Sequence, residues 1–229
     1  MNIKSHIKQI ENLLNKEKIT KYKLLQVSFN IACVKLELPN KEIFICKFFI
    51  DKKNNFNAIE SEAKNILYLN KKFDFFPNLI NFNNNYLIIQ YIENDKYKPN
   101  STNLDFLESI VKIHSTTNDL YGFKFNTQIA GIKQINEFEK DWVSFYSKKR
   151  LNDVFELANK EISMGNFINN KISFLLKNMK DFIPNKPTAR LLHGDMWEGN
   201  ILFKKNMFVG FIDPGSFFGH NEMELAYLR

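Results

Sequence analysis

Residues 193 to 200 read His193-Gly194-Asp195-Met196-Trp197-Glu198-Gly199-Asn200. A His, an Asp two positions on and an Asn five positions after that Asp make the H-x-D-x-x-x-x-N spacing of a phosphotransferase catalytic loop. The residue types carry the chemistry. Asp195, set against a substrate hydroxyl, can accept its proton while the oxygen attacks phosphorus. Asn200 can turn its amide oxygen toward a metal held by nucleotide phosphates. His193 reads as a hydrogen-bonding prop for the loop rather than a base. An Asn-rich chain also produces this pattern by chance, so its neighbours must support it.

Two neighbours do. After Asn200 come Ile201-Leu202-Phe203, a Lys204-Lys205-Asn206 turn and the apolar run 208 to 212, and Asp213 follows at once. A tight hairpin of that length returns Asp213 beside Asn200. A carboxylate and an amide oxygen are the hard ligands that Mg²⁺ requires, whereas an isolated Asp after a strand is usually a turn former. Upstream, Lys47 lies inside the apolar run Phe44-Ile45-Cys46-Lys47-Phe48. A buried ammonium needs a partner, and Glu62 on the following helix is the candidate, with Glu60 as its competitor. Such a pair clamps the α- and β-phosphates of ATP; the alternative is a solvated edge-strand Lys and a solvated helix Glu. His114, at the end of an apolar helix, reads as a structural His. Trp142, Phe145 and Tyr146 read either as core or as a wall of the acceptor pocket. Cys33 and Cys46 read as buried thiols, with a redox role for Cys33 as the lesser alternative.

The elements that position these residues follow from patterning. The chain has 229 residues, 44% hydrophobic and 14% aromatic with 23 Phe, enough for one domain or two small lobes sharing a core. No apolar run approaches the roughly 20 residues needed to cross a bilayer, and the N-terminus lacks the apolar stretch of a signal peptide. Two Cys cannot build a disulfide framework or a four-thiolate zinc site. A cytoplasmic protein without membrane contact is expected, and oligomeric state is left open. The net charge of +7 is mostly scattered Lys, which suits an anionic ligand such as a nucleotide better than a nucleic acid. Helical spacing is expected over 3–17 and 57–72, and strands over 32–38, 43–50, 79–82 and 86–92. A polar connector with Pro99 spans 93–103. Beyond it, helices are expected over 104–116, 135–163 and 167–182, then strands over 190–192, 201–203 and 208–212. The plan is α+β: a small β-rich nucleotide-binding lobe over 1–92 and a mostly helical catalytic lobe over 93–229, with a cleft between.

These residues resemble a family. The run Leu191-Leu192-His193-Gly194-Asp195-Met196-Trp197-Glu198-Gly199-Asn200 is similar to the L-L-H-G-D-L-W-x-G-N of the fructosamine (ketosamine) kinases. The segment from Ile212-Asp213-Pro214 through Gly219-His220 to Glu222-Met223-Glu224-Leu225-Ala226 is similar to their D-P-A-x-x-x-G-H-x-E-x-D/E-L-A. The Trp and the D-P dipeptide separate this family from aminoglycoside and choline kinases, which share the plainer core. Trp142-Val143-Ser144-Phe145-Tyr146 with Arg150-Leu151 resembles the family's W-x-x-F-x-x-x-R-L region, and the likeness runs from about Phe29 to the last residue.

The resemblance implies a two-lobed protein-kinase-like fold and ATP- and Mg²⁺-dependent phosphorylation of a sugar hydroxyl on fructosamine- or ribulosamine-type glycated amines, free or in protein, leading to deglycation. It makes Asp195 the base, Asn200 and Asp213 the metal ligands, Lys47 with Glu62 the phosphate clamp, and Gln90, Tyr91 and Ile92 the backbone that holds the adenine edge. It also puts Asn30 among the nucleotide-binding residues. Where the family has a Gly pair before that Asn, this chain reads Val27-Ser28-Phe29-Asn30, so a looser phosphate cradle obstructed by Phe29 is expected. The family's chains continue past the Glu-Leu-Ala stretch with further helices, so stopping at Arg229 predicts a shortened second lobe with exposed apolar surface. The rival readings are a related sugar, choline or antibiotic kinase, a nucleotide-binding pseudokinase, and last a nucleic-acid binder.

Overall fold

The computed structural model describes residues 3–51, 56–95 and 103–228. The N-terminal part is built on a five-stranded antiparallel sheet of order β1-β2-β3-β5-β4, from β1 (Lys21–Ser28), β2 (Ile31–Glu37), β3 (Ile43–Phe49), β4 (Leu79–Phe82) and β5 (Tyr86–Gln90). Strict alternation on β2 buries Ala32, Val34 and Leu36 on one face. There they pack with Ile10 and Leu14 at the end of helix α1 (Lys4–Leu13) and with Cys46 and Phe48 of β3. The other face receives helix α2 (Ala58–Leu69), whose Ile59, Ala63 and Ile66 meet Leu87 and Ile89. Asn57 caps α2 by accepting from Glu60 N. Lys47 belongs to this second face, beside α2.

The remainder is an aromatic core with short strands. Helix α3 (Leu104–His114) is capped by Asn103 and packs Phe106, Ile110 and Ile113 inward. Strand β6 (Thr117–Asn118) pairs with β9 (Ala189–Leu192), and β12 (Phe217–Gly219) pairs with β9 on its other edge. Strands β7 (Thr127–Ile129) and β8 (Ile132–Gln134) form a separate hairpin. Helix α4 (Trp142–Tyr146) runs through a π-helical turn (Ser147–Asn152) into α5 (Asp153–Glu161), and α6 (Asn166–Lys177) follows. Strands β10 (Ile201–Lys204) and β11 (Met207–Phe211) pair before the short final helix α7 (Asn221–Ala226). Trp142, Phe145, Phe203, Phe211 and Phe217 are fully buried, and each such ring stabilises the fold by about 1.5–3 kcal/mol.

Three differences from the sequence reading have physical causes. Residues 135–141 are not helical: the helix starts at Trp142, where Asp141 Oδ1 accepts from Ser144 N at 2.8 Å. The segment just before is the β7–β8 hairpin, turned by Ala130 and Gly131 at φ 50° and 83°, and Phe138 is exposed. Strand β1 falls outside the expected strands: the alternation of Lys21-Tyr22-Lys23-Leu24 is broken by a bulge at Leu25, and residues 21–27 are all exposed. The expected connector falls partly on 96–102, so Pro99 lies outside the described residues. No helix among the described residues is long and apolar enough to cross a membrane.

Candidate active site

A cavity of about 610 Å³ lies between the five-stranded sheet and the segment 195–213, a size suited to a nucleotide. Its floor is the loop after β9. His193 donates from Nε2 to Ile212 O at 2.9 Å and accepts Asp195 N at Nδ1, 3.2 Å away. Those roles define a neutral imidazole, and burial holds its pKa below the ordinary value. Its ring is therefore the loop's prop. Gly194 has φ 87°, and a Cβ there would meet Gly215 O at 2.2 Å, so only glycine fits.

Asp195 is half-buried, and desolvation pushes its carboxyl up to about 6, against the opposing hydrogen bond from Asn200. Asn200 donates Nδ2 to Asp195 O at 2.8 Å and to Asp195 Oδ2 at 2.9 Å. Its Oδ1 is then the atom left to turn toward a cation. Strands β10 and β11 are joined by the two-residue turn Lys205-Asn206, at φ 51° and 64°, a hairpin geometry that matches strand twist. This brings Ile212 N onto Asn200 O at 3.0 Å and sets Asp213 beside the loop. Among the described residues no cluster of three or more His, Cys, Asp or Glu could hold a metal. One carboxylate and one amide oxygen suit Mg²⁺, which shares its coordination with substrate phosphates rather than sitting in an all-protein cage.

Lys47 faces this floor from β3. Its Nζ lies 2.7 Å from Glu62 Oε1 and 2.6 Å from Asp213 Oδ1. Burial works against the ammonium, but the two carboxylates outweigh it and raise its pKa, so the cation persists. Glu60 instead pairs with Lys64 on the surface, which decides the competition in favour of Glu62. Gln90, Tyr91 and Ile92 line the cavity. Tyr91 N reaches Ile43 O at 3.4 Å, Ile92 O accepts from Asn94 Nδ2, and the Lys35 ammonium sits 3.7 Å over the Tyr91 ring.

Asn30 is not brought to the cavity. Its Oδ1 accepts from Asp51 N and its carbonyl from Ile50 N, tying the β1–β2 turn to the end of β3. The obstruction expected from Phe29 is not seen either. Phe29 and Asn30 form a tight turn with φ 45° and 66°, and the Phe29 ring is 61% exposed while Ser28 lines the cavity. Cys33 lines the cavity too, but burial pushes its thiol up to about 11, leaving little thiolate for redox chemistry. Trp142 and Phe145 belong to the core, with Phe145 5.6 Å from the Phe217 ring.

Two polar residues of the site carry roles that the sequence did not assign. Glu224 on α7 accepts from His193 N at 3.1 Å and Gly194 N at 2.7 Å, and pairs with His114 Nε2 at 2.7 Å. It holds the His193-Gly194 backbone and accounts for the buried His114. Its signal was the E-x-D/E-L-A stretch itself, in which Glu224 fills the D/E position. Gln128, on β7, carried no local signal.

The architecture and cleft define a two-lobed, protein-kinase-like fold. It is shared with the crystal structure of a candidate fructosamine-3-kinase from Thermobifida fusca at a TM-score of 0.83, with 17% identity, covering 99% of this chain and 78% of that one. The fructosamine kinase family model matches residues 2–229, and the chain belongs to that family. A probable ketoamine kinase of Enterococcus faecium is 32% identical over 143 residues, 62% of this chain and 50% of that protein. A chloroplastic protein-ribulosamine 3-kinase of Arabidopsis thaliana is 32% identical over 144 residues, 62% of this chain and 43% of that protein. The chain thus spans half or less of the length of these two curated relatives.

Proposed function

We propose that the chain is an ATP-dependent kinase that phosphorylates a sugar hydroxyl of ketosamines, the 3-hydroxyl by analogy with the ribulosamine 3-kinase relative, and so initiates deglycation. The observation that carries this reading is the convergence of Lys47, Asp195, Asn200 and Asp213 on one cavity. In the reading, Asp195 takes the proton of the acceptor hydroxyl as its oxygen attacks the γ-phosphorus; the bond from that phosphorus to the bridging oxygen breaks, and ADP leaves. Lys47, held by Glu62, lies against the α- and β-phosphates. The backbone of residues 90–92 borders the adenine, and Asn200 with Asp213 would hold Mg²⁺. Bound there, the cation supplies charge neutralisation to the phosphates. Most of the acceleration then comes from positioning and electrostatic stabilisation. The nucleotide-binding part over 1–92, the catalytic part over 93–229 and a cytoplasmic setting belong to the same proposal, the last supported by two free thiols.

The test is twofold. Mg·ATP should raise the melting temperature, since a ligand of the folded state at 100 times its Kd adds about 2.7 kcal/mol, and Asp213→Ala should abolish that rise without unfolding the protein. ADP release should then be stimulated by fructosyl- or ribulosyl-lysine and not by aminoglycosides or choline. Nucleotide binding without turnover on any acceptor would favour the pseudokinase, and absence of nucleotide binding would remove the kinase reading.

A further inference from the structure

Glu62 is fully enclosed, and its two carboxylate oxygens are engaged from opposite sides of the cleft. Oε1 meets Lys47 Nζ at 2.7 Å, from the sheet. Oε2 lies 3.4 Å from Nε2 of Gln128, which comes from the β7–β8 hairpin. The amide orientation of Gln128 is set by its own chain: Oε1 accepts from Gly131 N at 2.6 Å, which turns the NH₂ group toward Glu62. Gln128 is buried and lines the nucleotide cavity.

The hairpin that carries Gln128 is rooted next to the candidate metal ligand. The Thr127 hydroxyl lies 3.2 Å from Gly215 O, two residues beyond Asp213. Asn136 Nδ2 donates to Thr127 Oγ1 at 2.8 Å, and Asn136 Oδ1 accepts from buried Arg150. Helix α2 is tied to the same region on either side of Glu62. Ser61 Oγ donates to Asn126 O at 3.0 Å, and Asn65 Nδ2 to Pro214 O at 3.0 Å. The hairpin tip also reaches the β1–β2 turn, since a Cβ on Gly131 would stand 3.0 Å from Phe29 Cβ.

We infer that Gln128 is a positioning residue for the phosphate clamp: its amide holds the Glu62 carboxylate against Lys47 and registers that pair to the Asp213 segment. The inference rests on the kinase reading, in which Lys47 contacts phosphate. A buried carboxylate oxygen that loses its donor must find another or shift. Here the shift would draw Glu62 off Lys47 and leave the ammonium to Asp213.

Two substitutions separate this role from a merely structural one. Gln128→Met is close to isosteric but removes both the donor to Glu62 and the acceptor for Gly131 N. Gln128→Glu keeps the acceptor for Gly131 and turns the donor into an anion facing Glu62. If Gln128 positions Glu62, Mg·ATP affinity and kcat/KM for ATP fall about tenfold in Gln128→Met, the scale of a lost hydrogen bond to a charged group, and further in Gln128→Glu, while KM for the acceptor is unchanged. If Gln128 only holds the hairpin, Gln128→Met lowers the melting temperature but leaves Mg·ATP affinity and kcat/KM for ATP like the parent's, which overturns the inference. In a Glu62→Gln background the Gln128→Met effect should vanish; full additivity also overturns it. A crystal structure of Gln128→Met decides the matter without nucleotide. A Lys47–Glu62 contact lengthened or broken supports the role, and an unaltered contact refutes it. A parent that binds no Mg·ATP defeats the kinase reading, and that structure still reports whether Gln128 holds Glu62.

Discussion

The strands around the 193–200 loop and the helices α5 and α6 are both rich in apolar side chains, yet they bury them very differently. Phe211 is fully buried, with the rings of Phe75, Phe76 and Phe208 at 5.7, 5.9 and 4.7 Å and the His193 ring at 5.6 Å. Neither α5 nor α6 has a buried residue. Phe167 is 72% exposed and Phe174 61%, with Val154 and Leu157 also facing solvent. Burial needs a second layer. The strands pack against α3, α7 and the aromatic cluster, whereas α5 and α6 present an outer side that no described residue covers. The geometry of the cleft is therefore supported by the densely packed region, and α5–α6 contributes an exposed apolar patch. Two chemically similar segments carry unequal mechanical weight because of where they sit.

The largest expected effect tests whether the dense region holds chemistry as well as structure. Asp195→Asn should lower kcat by about 10²–10⁴ with little change in Mg·ATP affinity. In the parent, a carboxyl near 6 must lose its proton to act, so kcat/KM should climb with pH, half-maximal near pH 6, to a plateau above about pH 7. That acid limb should be missing from residual Asn-variant activity. The sign for stability is opposite. The folded pKa lies above the ordinary value of 3.8, so ionisation weighs against the fold, increasingly from pH 3.8 to 6 and fully above. The Asn variant should melt no lower than the parent at pH 7. Wild-type-like turnover would remove Asp195 from the mechanism.

Packing comes next. Phe211→Ala should destabilise by about 3–5 kcal/mol in urea unfolding and loosen His193 with it. A loss below about 1 kcal/mol would mean that the aromatic cluster collapses to fill the gap, and the contrast between regions would weaken. A smaller gain is expected at the β1–β2 turn. A left-handed Phe is disfavoured by about 1–2 kcal/mol and Asn tolerates that conformation, so Phe29→Asn should raise stability by roughly 0.5–1 kcal/mol; a lower melting temperature would show that the Phe29–Gly131 contact matters more than the strain. The smallest effect is expected on α6. Phe174→Ser should change unfolding free energy by no more than about 0.5 kcal/mol while reducing binding of a hydrophobic dye. A loss as large as that of Phe211→Ala would erase the distinction between the two regions.

What could be read directly from the chain was local. The H-G-D run, the Asn five residues later and a hairpin short enough to return Asp213 are all contained within 193–213, and the order of strands and helices followed wherever one face was wet and the other dry, as on β2 and α2. Strand β1 was hard to read because a bulge at Leu25 breaks its alternation and neither face is buried, and the helix start at Trp142 depended on a single capping Asp. The tertiary structure alone decided which charges meet. Lys47 and Asp213 are 166 positions apart, Glu62 and Gln128 are 66, and His114 and Glu224 are 110. It also turned Asn30 from the cavity to Asp51 and Phe29 toward solvent. Residue types and short spacings dictate what a segment can do chemically, because bond geometry transmits over a few residues. Which buried ammonium finds which carboxylate depends on how the sheet, α2 and the β7–β8 hairpin pack against one another, and that is a property of the assembled core.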